Sequence, residues 1–277
     1  MRAKHTSEII AAPRTTESHA VDLINSESYS SLLAEGKIKT VCSLVGSSLP
    51  GSKAPERIED HPDVIAHRRL LTEIRRHRIP EFVFFSSGGA IYGSGVDRFS
   101  ETDSPVPISS YGLIKLTIEH DIQVQSRETG LKYLILRPSN PYGSFHRSLI
   151  QGLINVTLTK IKNREPMVVW GDGSVVRDYI HVRDLAMCVA ELILKNRSND
   201  IFNILTGVGY SVNSVMTMIR EVTGPFEVSH ILGRNTDVSR RVLDNEKLIA
   251  HVPLRFIPVH EGIRTVWDEI MKGKTTS

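Results

Sequence analysis

Short apolar runs alternate with helix-length amphipathic stretches through the first half of this chain, and that alternation admits few architectures. Residues 39–45, Lys-Thr-Val-Cys-Ser-Leu-Val, read as a strand closed by Gly46-Ser47-Ser48. Residues 63–78 then set Val64, Ile65, Leu70, Leu71 and Ile74 at helical spacing with basic residues opposite, and Pro80 stops that helix. Residues 81–86 give a second strand. Residues 110–129 give a second helix, with Ser109 or Ser110 as its cap and Gly130 as its stop, and residues 131–137 give a third strand. The connections are too long for hairpins, so the strands run parallel with helical crossovers, as in a doubly wound α/β sheet of the Rossmann-like kind. Such sheets bind ligands beyond the carboxyl ends of their strands. Gly46-Ser47, Ser86-Ser87 and Pro138-Ser139-Asn140 fall there.

After about residue 142 the texture changes. A helix is predicted over 149–162, followed by the apolar Met167–Trp170, a loop over 171–180, a helix over 184–195, the apolar Ile201–Leu205 and a helix over 212–222. This pattern divides the chain into a nucleotide-binding part, 1–145, and a smaller, mainly substrate-binding part, 146–277, with segments that return to the sheet. Of the 277 residues, 40% are hydrophobic and 23% charged, an ordinary balance for a globular enzyme. The net charge of +3 carries no long basic tract, and Arg75-Arg76-His77-Arg78 reads as a solvated helix face, so nucleic acid is not an expected partner. Cys42 and Cys188 form no Cys-x-x-Cys, which argues for two buried free thiols rather than a metal site or a disulfide. Without an apolar run of about 18 residues or an apolar leader in residues 1–18, a soluble, cytoplasmic protein with no membrane partner is expected.

Tyr111 and Lys115 stand one turn apart at the start of the second helix and share a face. A lysine so placed can lower a phenol's pKa from about 10 and make it a general base. On spacing alone the pair is common. Its neighbours are not: Phe85-Ser-Ser-Gly-Gly-Ala-Ile-Tyr-Gly93 precedes it, and Leu136-Arg-Pro-Ser-Asn-Pro-Tyr-Gly143 and Gly171-Asp-Gly-Ser-Val-Val-Arg-Asp-Tyr-Ile-His-Val-Arg-Asp-Leu185 follow. This ordered set, from about Val21 to Ile270, resembles the NAD-dependent epimerase/dehydratase family of extended short-chain dehydrogenases/reductases, and most closely its UDP-glucose 4-epimerases. The resemblance implies Tyr111 as catalytic base and Lys115 as the lysine that holds the nicotinamide ribose. It implies NAD contacts at Asp22, Leu23, Leu44, Val45, Gly46 and Pro138. For the nucleotide-sugar it implies a contact at Asn140, Arg177 and Arg234 on the diphosphate, Trp170 and Tyr179 around the uridine, and Asp237 at the ribose. A guanidinium fork suits phosphate oxygens, although Arg177 could instead pair with the adjacent Asp178. His181 reads as structural. Homodimers are common among such proteins.

Two departures qualify what the resemblance implies. Counting back four residues from Tyr92, where many members carry a Ser or Thr that relays the sugar proton, gives Gly88; Ser87 could supply the hydroxyl instead. Gly89 and Ala90 also leave no acid–base pair for eliminating water, which argues against a 4,6-dehydratase. The second departure is the absence of the family's opening Gly-x-x-Gly-x-x-Gly turn for the pyrophosphate. The expectation is an N-terminally truncated sheet, short by about 40 residues judged from where that turn normally precedes an Asp-Leu pair. The expected activity is UDP-hexose 4-epimerisation through a 4-keto sugar. A nucleotide-sugar reductase, or a degenerate homologue that binds nucleotide-sugar without turnover, are the alternatives.

Overall fold

A computed structural model describes residues 27–34, 38–48, 55–93, 98–144, 146, 148, 150–232 and 240–273. Its first half runs α1 (Glu27–Ala34), β1 (Thr40–Ser43), α2 (Pro62–Arg76), β2 (Glu81–Phe85), a one-turn helix α3 (Gly88–Ile91), α4 (Ser110–Thr129) and β3 (Lys132–Pro138). The second half runs β4 (Asn140–Tyr142), α5 (Leu153–Lys162), β5 (Met167–Trp170), β6 (Val176–His181), α6 (Val182–Leu194), β7 (Asp200–Ile204), β8 (Gly209–Ser211), α7 (Val212–Thr223), β9 (Val228–Ile231), β10 (Arg240–Arg241), α8 (Glu246–His251) and α9 (Val259–Met271).

The main sheet is parallel in the order β1-β2-β3-β7, with Val83 opposite Leu134 and Leu136 opposite Phe202. Strand alternation sends Phe82, Phe84 and Ile135 to one face, against Val64, Leu70 and Ile74 of α2 and Ile114, Ile118 and Ile122 of α4. Val83, Leu134 and Leu136 turn to the other face, against Cys188 and Leu192 of α6 and Leu248 of α8. Helices thus cover both faces, and the doubly wound α/β expectation holds. The helix ends follow their sequence signals: Ser109 accepts a hydrogen bond from the Gly112 amide, and Gly130 closes α4 in the left-handed conformation at φ 75°.

A separate core gathers α5, α7 and α9 around Tyr142 and Tyr179. Here β6 pairs with β4 and β10 in parallel and with β8 in antiparallel, while β5 and β9 form a two-stranded sheet. The loop expected over 171–180 is in its second half strand β6, because Tyr179, Ile180 and His181 are buried and their backbone needs ladder partners. The helix expected from 149 begins only at Leu153, after Gly152, which holds a positive φ of 91°. Cys188 is buried as expected but Cys42 is exposed, since β1 is an edge strand among the described residues. No helix of the described residues is long and apolar enough to cross a membrane.

Candidate active site

The carboxyl ends of β1, β2 and β3 converge on the first turn of α4. Lys115 Nζ lies 5.9 Å from the Tyr111 ring centroid and 4.9 Å from that of Phe84, and donates to the Phe85 carbonyl at 3.0 Å. The Ser87 side chain lies beside the Tyr111 hydroxyl and acts on it as a polar neighbour that lowers the phenol's pKa. Two glycines permit this approach. A Cβ on Gly112 would run into the Ala90 carbonyl, so only glycine lets α4 press against α3. A Cβ on Gly88 would lie 2.7 Å from both the Arg137 carbonyl and Leu243 Cδ1. Position 88 is closed to a Ser or Thr, and the hydroxyl beside Tyr111 comes from Ser87.

The expected lowering of the Tyr111 phenol is not what this geometry produces. Burial raises its pKa, the Ser87 side chain partly offsets that, and the charge of Asp63 adds to the rise. Burial also pulls the Lys115 ammonium down to about 8, against the attraction of Asp63 and Glu119. Asp63, the second residue of α2, is the feature that the sequence motifs did not disclose. Its Oδ1 accepts from the Ser47 amide at 2.8 Å and hydroxyl at 2.7 Å, and its Oδ2 from the Ser48 amide at 3.0 Å and hydroxyl at 2.7 Å. Burial alone would raise this carboxyl, but the Ser47 and Ser48 donors outweigh it and hold the group below the usual carboxylate range. An acid in a helix's first turn is favourable for many helices, so nothing in the sequence alone marked this one. Behind it, His67 Nδ1 lies 2.7 Å from the Asp63 carbonyl, which can only accept, so the Ser43 hydroxyl donates to Nε2 at 3.1 Å. Burial first, with Lys115 adding to it, pushes this histidine down to about 4, so it is neutral.

The loop after β1 completes this side. Leu44 and Val45 are 67% and 38% exposed, and a Cβ on Gly46 would stand 3.6 Å from both Asp63 Oδ2 and Lys115 Nζ. Pro138 is buried at the end of β3, opposite Ile204. Asp22, Leu23, Arg234 and Asp237 lie outside the described residues.

Two residues beyond Pro138, β4 opens a cleft of about 230 Å³ lined by Asn140, Tyr142, Leu153, Arg177, Tyr179 and Val212 among others. The β4–β6 register sets Asn140 opposite Tyr179, and Asn140 Nδ2 donates to the Asp178 carbonyl at 2.8 Å. Arg177 does not pair with Asp178. Successive residues of a strand face opposite ways, and the buried Asp178 carboxylate instead accepts from the Ser139 hydroxyl at 3.0 Å and the Thr206 amide and hydroxyl at 3.1 and 2.8 Å. Arg177 lines the cleft, its Nη1 donating to the Val176 carbonyl at 2.8 Å. Trp170, at the end of β5, is 49% exposed and is not among the cleft's lining residues, so the structure does not bring it to Tyr179 there. His181 caps α6 by accepting from the Arg183 amide and packs edge-on to Tyr142, the structural place expected of it.

Comparison with known proteins gives this geometry a context. The profile of the NAD dependent epimerase/dehydratase family matches residues 2–204. A putative UDP-glucose 4-epimerase of Methanocaldococcus jannaschii is 33% identical over 217 residues, 77% of this chain and 70% of that protein. Among solved structures, the UDP-glucose 4-epimerase of Thermotoga maritima with UDP-glucose superposes with a TM-score of 0.82 at 28% identity, covering 92% of this chain and 84% of that one. The Thermus thermophilus UDP-glucose 4-epimerase in complex with NAD gives 0.79 at 28% identity, over 91% and 84%.

Proposed function

The chain belongs to the NAD-dependent epimerase/dehydratase family, and from that premise we propose that it is a nucleotide-sugar 4-epimerase acting on a UDP-hexose such as UDP-glucose or UDP-galactose, or an N-acetyl counterpart. The observation that supports this reading is the Ser87–Tyr111 pair beside Lys115, in a chain that also folds a cleft lined by Arg177 and Asn140. The cleft's volume of about 230 Å³ suits one part of such a ligand, such as the nucleoside, rather than the whole.

The family's cofactor fits one part of this site. The exposed Leu44–Val45 loop, Gly46, the buried Lys115 ammonium and Pro138 suit the nicotinamide-ribose end, and Lys115 has three donors to offer. The described residues hold no glycine-rich strand-to-helix turn for the pyrophosphate. NAD, when bound, supplies the acceptor and donor of the C4 hydride.

The chain's own residues do the rest. Tyr111 takes the proton of the sugar 4-hydroxyl and returns it, with Ser87 relaying or orienting that proton. Lys115 is the cation over the Tyr111 ring, and its charge favours the phenolate that forms during proton removal. Arg177 holds the diphosphate by its planar donors, and Asn140 and Tyr179 orient the nucleotide-sugar. Fixing those ends lets a 4-keto sugar turn over without escaping. Gly89 and Ala90 offer no acid–base pair for removing water, which favours epimerisation over dehydration.

The test is an exchange assay between UDP-glucose and UDP-galactose on the purified protein, with NAD content read by absorbance after denaturation and UDP binding by calorimetry. Tyr111→Phe is expected to lower turnover about a thousandfold while UDP affinity stays within about threefold. Retained turnover in Tyr111→Phe would show that the base lies elsewhere. A folded, NAD-loaded protein that binds UDP-sugar but never interconverts the epimers would point to a binding protein without turnover.

A further inference from the structure

Arg241 is buried to 8% exposure on β10, in register with Arg177 on β6. Among the described residues no carboxylate lies within 4.0 Å of its guanidinium. It donates instead to three carbonyls: Nη1 to Gly89 at 2.6 Å and Tyr92 at 2.7 Å, and Nη2 to Gly93 at 3.1 Å. These carbonyls belong to α3, at Gly89, and to the turn after it, at Tyr92 and Gly93. A one-turn helix has no following turn to satisfy such groups, and a cation there meets the negative end of the helix dipole.

Ser87 caps the same short helix, its carbonyl accepting from the Ala90 and Ile91 amides and its side chain lying beside Tyr111. On its core side the turn is fixed by the Tyr92 hydroxyl, which receives Arg137 Nη1 at 2.7 Å and donates to Asn203 at 3.0 Å. On its other side it is fixed by Arg241. Among the described residues, strand β10 is held to β6 by two register pairs, Arg240 with Val176 and Arg241 with Arg177. One of those partners, Arg177, lines the cleft. Burial and the neighbouring charge of Arg177 both disfavour the Arg241 cation, pulling it down to about 10, so the two arginines sense one another across the β6–β10 register.

We propose that Arg241 is a positioning residue that ties occupancy of the cleft to the geometry of the Ser87–Tyr111 pair. A diphosphate drawn to Arg177 steadies β6 and the strand paired to it. Arg241 passes that order to the Gly89–Gly93 carbonyls and so to Ser87. The identity of the ligand rests on the epimerase reading; the grip on the turn does not.

Amide hydrogen exchange of the peptide spanning residues 86–93 tests both parts, on the full chain, with Arg241→Gln and Arg241→Lys. Without ligand, Arg241→Gln is expected to speed exchange in this peptide about tenfold while β2 and β3 stay protected, and Arg241→Lys to restore part of the protection. UDP is expected to slow exchange of this peptide in the unaltered protein and to lose that effect in Arg241→Gln, although its calorimetric affinity changes less than about threefold. In the exchange assay kcat should fall about a hundredfold with little change in KM. Unchanged exchange over 86–93 in Arg241→Gln, or an equal rise throughout the protein, would overturn the proposal. UDP that binds the unaltered protein without protecting this peptide would overturn the coupling. Failure of UDP to bind at all counts against the epimerase reading, and the ligand-free comparison still decides whether Arg241 holds the turn.

Discussion

On the sheet side of the site, Arg137 meets Glu119 through two hydrogen bonds, Nε to Oε1 at 3.1 Å and Nη2 to Oε2 at 2.6 Å, and both side chains are almost fully buried. On the nucleotide side, Arg177 lines an open cleft and Arg241 beside it meets carbonyls rather than a carboxylate. The first arginine is neutralised within the fold and locks α4 to β3, so it holds the helix that carries Tyr111 and Lys115. Arg177 lies at the cleft surface, and among the described residues Arg241 has no carboxylate within 4.0 Å. The first arginine serves the stability of the fold; under the proposed function Arg177 serves recognition.

That contrast has its largest consequence at Glu119. Replacing it with Gln strands the buried Arg137 cation, and the expected loss is about 3–5 kcal/mol of folding stability in a urea titration. The double replacement Glu119→Leu with Arg137→Met should recover much of it, because neither charge then remains buried alone. A single variant as stable as the parent would break the contrast on the sheet side.

Arg177→Met should behave in the opposite way. Little stability is expected to be lost, because the residue is only half-buried at the cleft. UDP affinity measured by calorimetry should fall about tenfold to a hundredfold, the worth of a charge-assisted hydrogen bond or two to phosphate. Uridine, which lacks the diphosphate, should bind both proteins alike. A variant that unfolds as readily as Glu119→Gln, or binds UDP as the parent does, would remove the distinction between the two sides.

Much of the sheet side was legible in the sequence because its information is local. The i,i+4 spacing of Tyr111 and Lys115, the serine cap and the glycine stop all act within one helix, and the apolar runs of β2 and β3 announce buried parallel strands. The nucleotide side depends on register between distant segments. Asn140 meets Asp178 only because β4 pairs with β6, and Arg241 meets Gly89 across 152 positions of sequence. No periodicity encodes that. The direction of the Tyr111 shift is hidden from the sequence for a related reason: a neighbouring lysine is visible there, but burial and the charge of Asp63, folded in from another helix, are not.

Asp63 offers the smallest and sharpest test, because it acts on both members of the proposed catalytic pair, Tyr111 and Lys115. Its negative charge raises the pKa of Tyr111, and it also supports the Lys115 ammonium against burial. Turnover that needs a deprotonated Tyr111 rises with pH through the tyrosine's pKa, and turnover that needs a charged Lys115 falls as pH rises through the lysine's. Asp63→Asn removes the anion. The Tyr111 phenolate becomes easier to form and the Lys115 ammonium easier to lose, the latter titrating below its present value of about 8. Both limbs of the pH–rate profile for kcat/KM should therefore move toward acid together, by a fraction of a pH unit, and the profile should keep its width. Because the macroscopic limbs belong to the coupled pair, the shift of the whole profile is the observable rather than either limb alone. A profile that stays in place would mean that Ser47 and Ser48, which give Asp63 its four hydrogen bonds, screen its charge from the site. Limbs that move apart would mean that Lys115 is not the group whose deprotonation ends activity.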